Sequence, residues 1–153
     1  MEVTPLMLSF EDLRVGDRFN TAEHTVTAEE IIAFARQYDP QPFHTDSTAA
    51  KDSLFGELVA SGWHTAALSM NLMVRGEMGL DGGVIGHTVE ALRWPRPVRP
   101  GDRLRVVMEV MALDPEPSRT GRGKLKLGCR TLNQDGKAVQ EMTANLLVAR
   151  RSV

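Results

Sequence analysis

A chain of 153 residues and 16.9 kDa can bury one sizeable core without disulfides or metals, and it fits a single domain over residues 1–153. A net charge of −2 excludes the strongly basic surface that binds nucleic acid through phosphates, and the one cysteine, Cys129, excludes an internal disulfide and suits a reducing cytoplasm. No apolar stretch reaches the length of a membrane span, and MEVTPLMLSFEDL carries acids where a secretory leader would be basic, so a soluble cytoplasmic protein is expected.

In chain order, RFNTAEHTVT (18–27) alternates as a strand does. Thr27 then opens TAEEIIAFARQYD, with Glu30 three residues on, which is a capping-box pattern. Ile31, Phe34, Ala35 and Tyr38 recur at helical spacing and deliver the chain to Asp39. The next stretch, DPQPFHTD (39–46), holds Pro40 and Pro42, which break helices, and polar residues unsuited to a buried strand; it reads as a stiff loop. STAAKDSLFG (47–56) fits one or two helical turns capped by Asp46 or Ser47.

The strongest helix is SGWHTAALSMNLMVRGEMG (61–79), whose Ala66, Ala67, Met70, Met73, Val74 and Met78 form a broad apolar stripe expected to face a core. EMGLDGGVIG (77–86) lacks a phosphate-loop lysine and reads as a helix stop plus turn. From there the period changes to two. GHTVEALRW, DRLRVVMEVMAL, GKLKLGCRTL and KAVQEMTANLLVARR each read as strands, with Cys129 a small core residue inside the third. NQDG (133–136) is a hairpin turn, PEPSRTGRG (115–123) a loop, and PRPVRPGD (95–102) separates the first two of these strands. The order predicts an α+β domain with helices on one face of an antiparallel sheet.

The chemistry concentrates in two places. Asp39 and His44 lie five apart in a segment stiffened by proline, and a carboxylate beside an imidazole is the usual pair for moving protons near neutral pH. Gly62 stands at the start of the long helix, where unpaired backbone N–H groups favour a developing negative charge. Taken singly, the pair also fits an ordinary surface turn and Gly62 a tightly packed helix start. His64, in the first helical turn, fits capping, packing or solvent contact, while His24 and His87 lie in expected strands. Four scattered histidines and one cysteine have no zinc-site spacing, and Ser61 and Ser69 have no nucleophile-elbow context. Trp63 and Trp94 fit core or interface anchors, or the flanks of an acyl tunnel.

YDPQPFHTD, then LVASGWHT, then WPRPVRPGD resemble, in this order, the MaoC-like dehydratases, relatives of the (R)-specific enoyl-CoA hydratases. The positions that match are Asp39, Pro42, His44, Gly62, Pro97, Val98, Gly101 and Asp102, over most of the chain. Gln41 stands where that family's pattern has asparagine, and Ser61 where its best-studied hydratases have histidine. The resemblance implies a hot-dog fold, an antiparallel sheet wrapped around one long central helix, in a homodimer or larger homo-oligomer. It implies Asp39 and His44 as the catalytic pair and Gly62 as oxyanion donor, hydrating a trans-2-enoyl-CoA or dehydrating a 3-hydroxyacyl-CoA in fatty acid metabolism. No metal or prosthetic group is then expected, with coenzyme A entering as part of the acyl-CoA substrate. An acyl-CoA thioesterase of the same fold and a non-catalytic acyl-CoA-binding protein are the alternatives.

Overall fold

In chain order the elements are β1 (Arg18–Asn20), β2 (His24–Thr25), α1 (Ala28–Tyr38), α2 (Pro42–Thr45), α3 (Ser47–Ala50), α4 (Gly62–Arg75), β3 (Ile85–Arg93), β4 (Arg103–Asp114), β5 (Gly123–Leu132) and β6 (Ala138–Val148). The computed structural model describes residues 7–115 and 121–151; most of the loop expected over 115–123 lies outside the described residues, as does the start of the chain. All strand pairs are antiparallel, in the order β1-β4-β5-β6-β3, with β2 also pairing with β4. The sheet curls around α4, the arrangement that the resemblance implies.

Alternation gives the central strands their inner face. Leu104, Val106, Met108 and Val110 of β4 are buried, as are Leu125, Leu127 and Cys129 of β5 and Ala144, Leu146 and Val148 of β6. All of these but Leu104, which joins a second cluster, meet Leu72 and Met73 of α4, together with Phe10, Leu13, Met78 and Leu80. Each buried Val, Leu, Met or Phe side chain among them contributes roughly 1.5–3 kcal/mol by leaving water. A second cluster, built on Val26, Ile31, Ala50, Leu58, Val98 and Val139, fastens α1 and α3 to the sheet end, and Leu68 of α4 packs against both clusters. The hairpin turn at 133–136 forms as the sequence predicts: Gly136 N–H donates to Asn133 O, and Gly136 has φ 73°, which glycine adopts without strain.

Several expectations are corrected. The single strand expected over 18–27 is two short ones, both paired to β4. The stiff loop at 39–46 contains a helical turn, α2, because Pro42 occupies its first position, where a missing N–H costs nothing and φ is already helical. Of the two caps expected for α3, Asp46 is the one that forms, accepting from the Thr48 and Ala49 amides. In α4 the buried residues are His64, Thr65, Ser69, Leu72 and Met73, whereas Met70 and Val74 of the expected stripe are exposed and the helix stops at Arg75, before Met78. The buried hydroxyls are satisfied, which is why they can face inward: Ser69 donates to Thr65 O at 2.7 Å and shares a 2.6 Å hydrogen bond with Thr131. The described helices include none long and apolar enough to cross a membrane.

Candidate active site

The site begins where α1 ends. The capping box expected from Thr27 and Glu30 is formed, and the Asp39 N–H closes the helix on Ala35 O at 2.8 Å. Pro40 cannot extend it. The chain turns through Gln41 into α2, which places His44 one helical turn further along and buries it. His44 Nδ1 lies 2.7 Å from Val59 O, and Val59 N–H donates back to Phe43 O, so α2 and the segment before α4 hold each other. A carbonyl only accepts, so Nδ1 carries a proton. In the neutral ring the lone pair is then on Nε2, which lies 3.4 Å from Asp39 Oδ2.

Asp39 is oriented by amide and hydroxyl donors. Gln41 Nε2 donates to its Oδ1 at 2.7 Å, so the longer amide at position 41 keeps a hydrogen bond to the carboxylate. Partial burial raises the carboxyl, but hydrogen bonds from Ser61 and Gln41 and the nearby His44 together hold it below the usual carboxylate range. Ser61 is fully buried and also accepts from Trp63 N–H as the cap of α4. Its hydroxyl therefore ties the carboxylate to the helix start.

Gly62 is the first residue of α4. It shares with His44 the wall of a cleft of about 350 Å³, whose other sides are largely apolar: Phe43, Phe55, Val59, Trp94, Val98 and Val139. Asp39 is not part of this wall; it stands beside the His44 ring and reaches the cleft through it. The Pro97–Val98 and Gly101–Asp102 motif serves as scaffold. Val98 O accepts from Ala60 N–H, while Asp102 takes the Arg99 amide and the Gln134 side chain and its own carbonyl accepts from Val26 N–H.

The remaining candidates lie elsewhere. His64 turns toward α1 and stacks on Phe34, with centroids 4.9 Å apart; its Nδ1 has no partner, and burial holds the imidazole below the ordinary histidine range. His24 pairs with Glu30 at 2.9 Å, and His87 is exposed on β3. Burial pushes the Cys129 thiol up to about 12, which suits a packing role and not a nucleophile. Trp63 and Trp94 meet edge to face, 5.2 Å apart. Among the described residues no group of three or more His, Cys, Asp and Glu could hold a metal ion. A second hollow of about 340 Å³ lies on the outer sheet face, where Arg18 pairs with Glu109 and Arg93 and Arg130 with Glu141; it contains none of the motif residues. Sequence reasoning missed the Val59 carbonyl and Gln140, which accepts from the Trp94 indole N–H. A backbone carbonyl has no residue signature, and Gln140 sits unremarked in a strand.

An antiparallel sheet curled on a central helix is the hot-dog class of fold. The family model described as MaoC like domain matches residues 11–125, and the chain belongs to this family of MaoC-like dehydratases. Its fold is similar to that of a MaoC-like dehydratase from Rhodospirillum rubrum, 50% identical with a TM-score of 0.89, covering 95% of this chain and 99% of that one. The (R)-hydratase PhaJ1 of Pseudomonas aeruginosa is 26% identical with a TM-score of 0.76, over 94% of this chain and 86% of that one. In sequence, the 3-hydroxybutyryl-CoA dehydratase of Methylorubrum extorquens is 32% identical over 125 residues, 80% of this chain and 73% of that protein.

Proposed function

We propose that the protein adds water to a trans-2-enoyl-CoA, or removes it from a 3-hydroxyacyl-CoA, with Asp39 and His44 as the acid/base pair and the Gly62 amide as oxyanion donor. The observation that carries this reading is the pairing of two acceptors. His44 Nδ1–H donates to Val59 O, so the neutral ring keeps its lone pair on Nε2, 3.4 Å from Asp39 Oδ2, and two acceptors stand side by side at the edge of the cleft. A water there donates one O–H to each and turns its oxygen lone pair outward.

In the hydration direction, that oxygen attacks C3 of the enoyl thioester while one of its protons passes to the pair. The C2=C3 electrons move toward the thioester carbonyl, whose oxygen becomes negative against the N–H at the start of α4. The proton then returns from the pair to C2, and one water has been added across the double bond. Nothing is oxidised or reduced, and coenzyme A leaves with the product as part of it. The related 3-hydroxybutyryl-CoA dehydratase and (R)-hydratase support this choice of reaction.

The test follows loss of the conjugated-thioester absorbance of crotonyl-CoA alongside a thiol assay. Absorbance loss without thiol release is expected; thiol release would instead place the protein among hot-dog thioesterases. Asp39→Asn and His44→Ala should each lower the rate by about 10²–10⁴-fold with the fold intact. Activity retained in either variant removes the assignment. We also propose a homo-oligomer, because β3 is an edge strand exposed along most of its length and Trp63, Met70 and Val74 of α4 are exposed as well.

A further inference from the structure

We propose that the Trp94 indole, held in place by Gln140, is the wall that determines specificity and limits the acyl group to short chains; this rests on the acyl-thioester reading above. Trp94 directly follows β3 and leads into Pro95, whose ring fixes the chain direction. Its six-membered ring lies against Gly62: Cε2, Cδ2 and Cε3 are 2.6–2.9 Å from the point where a Cβ on residue 62 would sit. A glycine at 62 therefore does more than free an amide; it makes room for this ring.

The ring is braced on two sides. Its Nε1–H donates to Gln140 Oε1 at 2.9 Å, and Gln140 is only 1% exposed on β6, so the acceptor is itself fixed by packing. Trp63 meets it edge to face. A ring held in this way cannot swing aside as a chain lengthens.

Its position matters because the thioester carbonyl would dock at the Gly62 amide, a few bonds from the reacting carbons. An acyl chain passing C3 meets a wall at once. The cleft is mostly apolar and therefore suits the acyl part better than the amide-bearing arm of coenzyme A. Its volume of about 350 Å³ lies near the lower end of the roughly 300–1,000 Å³ common for small-molecule sites. Trp94 is 40% exposed, so the ring is not enclosed in packed core. Removing the indole would open an outlet for a longer chain and leave no sealed void.

The experiment uses the saturated thioesters butyryl-CoA and octanoyl-CoA, which bind without being hydrated, and measures their Kd by calorimetry on the wild type, Trp94→Phe, Trp94→Ala and Gln140→Leu. The wild type should favour butyryl-CoA. Trp94→Ala should shift the affinity ratio toward octanoyl-CoA by about tenfold or more, and the other two in the same direction by less. A merely structural role would weaken both ligands together and leave the ratio alone. An unchanged ratio in a folded Trp94→Ala, a wild-type preference for octanoyl-CoA, or binding of neither would overturn the proposal. Hydration of crotonyl-CoA is read separately. A shifted ratio without hydration would sink the proposed reaction and keep the wall, and hydration with an unchanged ratio would do the reverse.

Discussion

Asp39 is pulled in two directions by its surroundings, and the balance decides which protonation state the pair presents. Partial burial favours the neutral acid, but Ser61, Gln41 and His44 together favour the carboxylate, so the charge persists below the pH at which a free carboxyl would lose it. A depressed folded value contributes stability that is present above the unfolded carboxyl range and is lost as pH falls through the folded value. The part of the acid limb of kcat/KM that belongs to Asp39 should therefore lie below the ordinary carboxylate range. Gln41→Leu and Ser61→Ala each remove a donor, so the limb should move up in pH, with kcat/KM at neutral pH falling by about tenfold, as for loss of a hydrogen bond to a charged group. A pH–rate profile of each variant reads this, and limbs that coincide with the wild type would remove both residues from the tuning of Asp39.

Between elements, the contact of α1 with α4 carries a pH dependence of its own. His64 enters this contact stacked on Phe34 and with its Nδ1 unpaired. Burial lowers its proton affinity most, Glu30 opposes that and His24 adds to it. The folded protein therefore prefers the neutral ring. Its contribution is fully present above the ordinary histidine value near 6.5 and is lost as pH falls from there through the lower folded value. Thermal unfolding followed at two pH values should show Tm dropping from pH 7 to pH 5, and His64→Phe should shrink that drop while keeping the ring contact. An equal drop in the variant would assign the acid sensitivity to other groups. The element α2 makes a related point about position: Pro42 would break a helix interior, yet at the first position it starts the turn that carries His44.

For the whole molecule, the faces left uncovered say where a second copy would sit. Val89 of β3 and Met70, Val74 and Trp63 of α4 are exposed although apolar, and β3 is a sheet edge. Light scattering on the purified protein should give a mass that is a multiple of 16.9 kDa; a single-chain mass at micromolar concentration would refute the proposed oligomer.

The amino-acid sequence alone determined the capping box at Thr27, the element order from α4 onward, the turn at 133–136 and the spacing of Asp39 from His44. These depend on backbone torsions and on periodicities a few residues long, and such interactions act within the segment that encodes them. The sequence also carried the motif order that marks the family. What only the tertiary structure decided is which side of α4 is buried, since apolar stripes mark a face but the sheet chooses it, and Ser69 faces inward because Thr131, far away in sequence, offers it a partner. The Val59 carbonyl that sets the His44 tautomer and the Trp94 ring over Gly62 belong to the same group. Each joins segments whose proximity no local pattern records, because it arises only when the sheet closes on the helix.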